Sequence, residues 1–192
     1  MSTEQQEALS ELRKLQEQVV NGWIDYWNEF VFLESWQFWV NMALFLLPLI
    51  FLFFFLDRKK AFLIGFFGFN IHIWLTYIHI IGGRFGYWDY PYLMFPFIPS
   101  AVELNASLIP VAYMLIYQWT QNHNRNYYLY ATLLAAVIAF LFMPLLIQIH
   151  IFAIYNGVNY LHLFVVQVVV VLISKWNTNL YHYFKTKVIK IY

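Results

Sequence analysis

The residues best suited to chemistry are polar side chains that recur on an otherwise apolar segment. His72, Thr76 and His79 follow one another at steps of four and three within AFLIGFFGFNIHIWLTYIHII. These steps place the three side chains on one face of an α-helix. Such a face is typical of proton relays and transport pathways, because imidazoles change charge near neutral pH, but it is also typical of hydrogen-bonded helix contacts. Both interpretations stay open.

A single acid, Glu103, lies in another apolar segment and shares a predicted helix face with Ser107. An ionised carboxylate is costly in hydrocarbon, so we expect Glu103 to pair with a cation, contact water or remain protonated. Other polar residues are predicted at similar depth. The candidate site residues are His72, Thr76, His79, Arg84, Asp89, Glu103, Ser107, Gln148, His150, Asn159 and His162. Together they predict a polar cup that opens toward one face of the molecule.

Metal binding is an alternative role for part of this set. His79, Glu103, His150 and His162 come from four predicted helices at similar depth, and imidazole and carboxylate are common metal ligands. The chain contains no Glu-x-x-His pair and no His-Glu-x-x-His motif, which helix-bundle metal sites use. We therefore predict no cofactor, and a divalent metal at these four residues is the alternative.

The elements that must position these residues are membrane-spanning helices. The chain is 62% hydrophobic, 22% aromatic and 11% charged, whereas soluble domains have roughly 25% charged residues. Its apolar runs have the length of about 20 residues that crosses a bilayer. We predict an all-α integral membrane protein with a single bundle of five transmembrane helices at about 36–56, 61–81, 98–119, 128–149 and 158–175.

Two segments flank the predicted bundle, which covers residues 36–176. Residues 1–35 predict an amphipathic helix, because apolar residues repeat there at steps of three and four between glutamates. Residues 177–192 contain three lysines and predict a basic C-terminal tail.

The distribution of cations predicts the orientation of the bundle. Eight cations, among them the run 58–60 and Lys175, lie on one side of a five-span bundle, and three lie on the other. By the positive-inside rule, the C-terminus is cytoplasmic and the N-terminus lies outside the cell membrane. The predicted polar cup then opens in the outer leaflet.

Composition and motifs rank the possible functions. A net charge of +1 without a long basic run argues against nucleic acid as a partner, and the absence of cysteine excludes thiolate sites. We expect first a non-enzymatic membrane component, such as a partner or sensor subunit. The expected partners are membrane lipid, another membrane protein or a second copy of the chain.

A small channel or proton-linked transporter is the second hypothesis. It requires a continuous polar track, yet the cytoplasmic halves of the predicted spans supply only Asn70, Gln167 and small residues. An intramembrane enzyme is the third hypothesis, because the chain has no phosphate-binding glycine loop and no nucleophile elbow.

Residues 86–119, GYWDYPYLMFPFIPSAVELNASLIPVAYMLIYQW, carry a pattern of prolines and aromatic residues. Its features are Tyr90-Pro91, the turn from Pro96 to Pro99, Pro110 within a predicted helix, and Tyr117-Gln118. In these features the chain resembles a group of small multispanning membrane proteins from endospore-forming Firmicutes. The resemblance implies a membrane location.

Overall fold

The computed structural model describes residues 1–189, with side chains for residues 1–184. Apart from one short strand pair, its regular structure is helical. The helices are α1 (Thr3–Phe30), α2 (Trp36–Phe55), α3 (Ala61–Arg84), α4 (π-helical Glu103–Leu108, then α-helical Ile109–Asn122), α5 (Tyr127–Gln148, π-helical over Ile138–Phe142) and α6 (Tyr160–Ile189). The strands β1 (Trp88–Asp89) and β2 (Ala153–Ile154) pair antiparallel.

Four of the described helical segments are long and apolar enough to cross a membrane: Trp36–Phe55, Arg58–Arg84, Tyr127–Gln148 and Tyr160–Phe184. They confirm four helices among the five predicted spans. The segment predicted at 98–119 is also helical, but its helix begins only at Glu103, after a series of turns and bends. It is not among the four because it carries several polar residues along its length.

Helix α4 occupies the interior of the bundle. Its start packs against α2, and the rest of it packs against α3 and α5. Ser107 Oγ donates to the carbonyl of Phe45 at 2.6 Å, and Gln118 Nε2 donates to the carbonyl of Phe55 at 2.8 Å, so α2 and α4 run parallel. A helix covered by its neighbours does not need an apolar surface, which explains the more polar composition of α4.

The most buried face of α3 is apolar and consists of Ile64, Phe67, Ile71 and Leu75. Of the three residues of the predicted polar face, His79 is buried in line with these residues, whereas His72 and Thr76 are only half-buried. The outer surface of α2 is also apolar and exposes phenylalanines along its second half. An exposed apolar surface of this extent marks a contact with lipid or with another protein.

Both π-helical turns end next to a proline. The backbone N–H of Ile109 donates to Leu104, five residues back, and Pro110 has no N–H to donate to Asn105. The carbonyl of Asn105 is therefore left without a helical partner. The π turn of α5 ends in the same way, before a proline in the α-helical segment that follows.

The two ends of the chain are helical. Helix α1 confirms the helix predicted within residues 1–35, and none of its residues is buried. Helix α6 continues through residues 177–189 of the predicted basic tail. The tail residue Lys190 and the side chains of Lys185 and Lys187 lie outside the described residues.

Candidate functional site

A buried polar cluster joins α3 to the loop that follows it. His79 is 4% exposed, and its Nδ1 contacts the hydroxyl of Tyr90, which is equally buried. The backbone carbonyl of His79 accepts a hydrogen bond from the indole of Trp88 at 3.1 Å. The Tyr90 hydroxyl also lies beside the side chain of Asn105 at the start of α4. These contacts fix β1 and the loop against α3 and α4.

Asn105 extends this cluster along α3 and toward the loop. Its Nδ2 donates to Ser100 Oγ at 2.9 Å, and its backbone carbonyl lies 2.9 Å from His72 Nδ1. The carbonyl is free for this contact because of the π turn and Pro110. Since a carbonyl only accepts, His72 carries its proton on Nδ1. Thr76 Oγ1 lies 3.4 Å from the same nitrogen.

Glu103 is 1% exposed, and neither of its carboxyl oxygens has a hydrogen-bond partner among the described residues. The Oδ1 atoms of Asn105 and Asn41 are also buried without a hydrogen-bond partner among the described residues. Four such acceptor oxygens therefore lie in the region where α2 packs against the start of α4. Burial raises the pKa of the neighbouring Tyr90 well above its ordinary value, and the nearby Glu103 adds to that increase. Tyr90 is therefore a neutral phenol in this cluster.

Ser107 and Asn41 connect helices rather than line an open cavity. Ser107 is fully buried, and its bond to the carbonyl of Phe45 joins α4 to α2. Asn41 Nδ2 donates to the carbonyl of Tyr92 at 2.5 Å and joins α2 to the loop. Contacts of this kind stabilise helix packing by about 0.6 kcal/mol on average in membrane proteins. These contacts favour the interpretation that Ser107 stabilises helix packing and is not part of a functional site.

The candidates from the end of α5 onward do not join the cluster. Gln148 is exposed, and His150 lies in the exposed turn that follows, with a positive φ of 62°. Asn159 caps α6, since its Oδ1 accepts from the backbone N–H groups of Leu161 at 3.0 Å and His162 at 3.3 Å. The His162 ring contacts that same oxygen at 2.9 Å. His162 thus serves the start of its own helix and makes no hydrogen bond with Glu103.

The four residues considered for a metal are divided between two environments. His79 and Glu103 belong to the buried cluster, whereas His150 is exposed in the turn after α5 and His162 is exposed at the start of α6. Within the part of the chain that the structure describes, no group of three or more His, Asp and Glu side chains is placed to hold a metal ion. Similar depth in the bundle did not bring these four residues together.

A cleft of about 720 Å³ lies between α1 and the loop that follows α3. This volume falls within the range of roughly 300–1,000 Å³ that is typical of small-molecule sites. The α1 wall consists of Leu15, Gln16, Val19, Val20 and Trp23. The opposite wall includes the end of α3, the strand residues Trp88 and Asp89, and the loop residues Tyr90, Leu93, Pro96, Phe97 and Pro99. Apolar side chains dominate both walls.

Two of the predicted site residues, Arg84 and Asp89, line this cleft and bring opposite charges to it. Arg84 is exposed at the end of α3, and Asp89 is half-buried in β1. Asp89 Oδ1 accepts the backbone N–H of Tyr90 at 2.8 Å. Burial raises the pKa of the Asp89 carboxyl above its ordinary value, and the bond from Tyr90 offsets part of this increase. Among residues 1–184, neither charge forms an ion pair.

Helix α1 is attached to the bundle near its C-terminal end. Trp27 Nε1 donates to the carbonyl of Leu93 at 2.9 Å, and its ring centroid lies 4.4 Å from that of Phe32. Tyr26 lies near Asp89 and Tyr92, and burial, followed by these two neighbours, raises the pKa of its phenol. The rest of α1 covers the cleft without a buried residue of its own.

A second buried polar cluster lies at the opposite end of the bundle. Lys175, expected at the cytoplasmic surface, is only 8% exposed. Its Nζ donates to the Tyr117 hydroxyl at 3.2 Å and lies 4.3 Å from the centroid of that ring and 5.4 Å from the Tyr127 ring centroid. From the sequence we expected only Asn70, Gln167 and small residues as polar groups in this half of the bundle. The buried Lys175 adds to them.

Asn105, Ser100 and Tyr90 belong to the buried cluster but not to the predicted site residues, and the sequence contains a signal for the first two. Asn105 lies two positions after Glu103 and Ser100 three positions before it, so both accompany the acid along the chain. Tyr90 lies in an aromatic loop, where nothing in its spacing distinguishes it from its neighbours. Its contact with His79 depends on how the loop folds back over α3, which no local pattern encodes.

The chain matches no known protein family, no curated protein and no solved structure. The resemblance of residues 86–119 to small multispanning proteins of endospore-forming Firmicutes therefore stays a prediction. The cleft and the two buried clusters are the features on which a function can be based.

Proposed function

We propose that the protein is a non-enzymatic binding component of the cell membrane that holds an amphiphilic lipid in the cleft beneath α1. In this proposal α4 is the fifth span, enclosed by the four helices of spanning length and composition. The N-terminus lies outside and the C-terminus in the cytoplasm, as the cation distribution favours. A lipid sensor or a partner subunit of this kind needs a binding cleft and no catalytic group.

The observation that carries the proposal is the gap between two apolar walls. Val19 of α1 is 59% exposed and lines the cleft, although Leu93 on the opposite wall is buried. An apolar helix face that contacts no core residue gains little from burial. A lipid chain between the walls would bury apolar surface at about 25 cal/mol per Å² and so stabilise the observed position of α1.

Lipid retention after purification in mild detergent tests the proposal. Val19→Trp fills the cleft, and Leu12→Trp is the matched control, because Leu12 is 63% exposed on the same helix and does not line the cleft. We expect Val19→Trp to reduce co-purified lipid about tenfold, the effect of losing ~1.4 kcal/mol of binding free energy, and Leu12→Trp to leave it unchanged. Equal retention by both variants and the unmodified protein would contradict lipid binding in this cleft.

Proton-linked transport is a second candidate, favoured by the buried acceptor oxygens around Glu103 and by Lys175 at the other end. It predicts proton flux in proteoliposomes that Glu103→Gln abolishes. Glu34→Gln is the control, because Glu34 is exposed in the turn before α2. Absence of proton flux in the unmodified protein would remove this candidate.

A further inference from the structure

We propose that the cleft selects a zwitterionic phospholipid with a primary ammonium group, holding its phosphate at Arg84 and its ammonium at Asp89. The inference rests on the proposed lipid binding and adds the chemical class of the lipid. Its starting point is that two opposite charges line one apolar cleft without pairing to each other.

Each of the two side chains suits one group of such a lipid. The guanidinium of Arg84 is planar and always charged, and it binds phosphate oxygens through two parallel hydrogen bonds. Asp89 uses Oδ1 for the backbone N–H of Tyr90, and its other oxygen makes no hydrogen bond among the described residues. That oxygen can accept an N–H from an ammonium. One ligand with both charges therefore satisfies both side chains.

The same arrangement discriminates against other common lipids. An anionic phospholipid without an amine satisfies Arg84 but leaves Asp89 beside its negative charge. A phosphocholine headgroup has a quaternary ammonium, which has no N–H to donate to Asp89. Specificity arises because an acceptor that is shielded from water and lacks a hydrogen-bond partner is unfavourable.

The position of the charges also suits a lipid headgroup. Arg84 ends a helix of spanning length, and the ends of such helices lie at the level of the headgroups. Trp23 and Leu93 line the same cleft and provide apolar surface for an acyl chain. A soluble zwitterion would leave this apolar surface unused.

Native mass spectrometry with a defined lipid mixture tests the inference. The purified protein is mixed with equal amounts of phosphatidylethanolamine, phosphatidylglycerol and phosphatidylcholine that have identical chains. We expect phosphatidylethanolamine to be retained about tenfold over each of the others, which corresponds to ~1.4 kcal/mol. Asp89→Asn should remove this preference. Arg84→Gln should weaken retention of all three, and Arg58→Gln, which replaces an exposed cation just before the start of α3, should change nothing.

The outcomes separate the inference from the proposal beneath it. Equal retention of the three lipids, together with loss of lipid in Val19→Trp, would overturn the headgroup assignment and leave lipid binding intact. Retention of no lipid would overturn both. A mass of two chains without lipid would show that the chain forms a dimer that retains no lipid, and it would also overturn both. Thermal unfolding at the same temperature as the unmodified protein shows that Asp89→Asn is folded.

Discussion

At the scale of single residues, Gly82 decides the shape of one wall of the cleft. A Cβ at Gly82 would overlap the ring of Trp88, whose indole donates to the carbonyl of His79. Gly65 lies on the same helix, yet a Cβ there would meet no atom within 4 Å. Of these two glycines, only Gly82 is therefore required by packing.

Replacing these two glycines by alanine should have opposite effects. We expect Gly82→Ala to lower the free energy of unfolding by about 1–3 kcal/mol, because the Trp88 ring must move. Gly65→Ala should leave stability unchanged or raise it by up to ~1 kcal/mol, since alanine favours helix. Thermal unfolding in detergent, followed by tryptophan fluorescence, measures both. Equal losses of stability would show that Trp88 does not pack on Gly82 as described.

The sequence predicts which residues are polar and their depth in the membrane-spanning bundle, but not which of their side chains contact one another. His72, His79 and Glu103 contribute to one cluster because Tyr90 and Asn105 link α3 with α4. The candidates from Gln148 to His162 lie on the surface, because they occupy helix ends and the turns between them, where helical periodicity does not fix the direction of a side chain. Tertiary packing alone decides these pairings.

At the scale of elements, Pro110 and the π turn before it create a hydrogen-bond acceptor inside the bundle. In a regular α-helix the carbonyl of Asn105 would accept from Ile109. Here Ile109 bonds to Leu104 instead, and His72 uses the free carbonyl. The sequence predicts a helix over this segment, but the shift of its start to Glu103 and the π turn follow from local backbone geometry.

A double-mutant cycle tests this arrangement. His72→Ala should cost about 1 kcal/mol in the unmodified protein, because a buried carbonyl loses its donor. In a Pro110→Ala background the same change should cost less, since the alanine N–H can satisfy a helical carbonyl in place of His72. Denaturation in detergent gives the four free energies of unfolding. Additive effects of the two substitutions would contradict the role of Pro110.

At the scale of the whole molecule, polarity differs between the two ends of the bundle. The end at which α4 begins holds Glu103 and its neighbouring acceptors, whereas the opposite end holds Lys175 among tyrosines. Between the two ends, the exposed surface of α2 is apolar. In the proposed orientation, the buried polar cluster around Glu103 and the cleft lie toward the outside of the cell.

Reporter fusions test this orientation. A phosphatase that is active only outside the cytoplasm should be active when fused before Met1 and inactive when fused after the C-terminus. The reason is that eight cations lie on the C-terminal side of a five-span bundle and three on the other. Activity of the C-terminal fusion would reverse the assignment and place the cleft in the cytoplasm.

The central claim is that a lipid fills the cleft beneath α1, and photo-crosslinking from within the cleft tests it most directly. A diazirine amino acid is placed at Val19, or at Leu12 as the control, which is exposed on the same helix but lies outside the cleft. After irradiation in membranes, the cross-linked products are identified by mass spectrometry. We predict a phospholipid adduct at Val19 in clear excess over Leu12. Cross-links from Val19 only to this chain or to a second copy would contradict the claim.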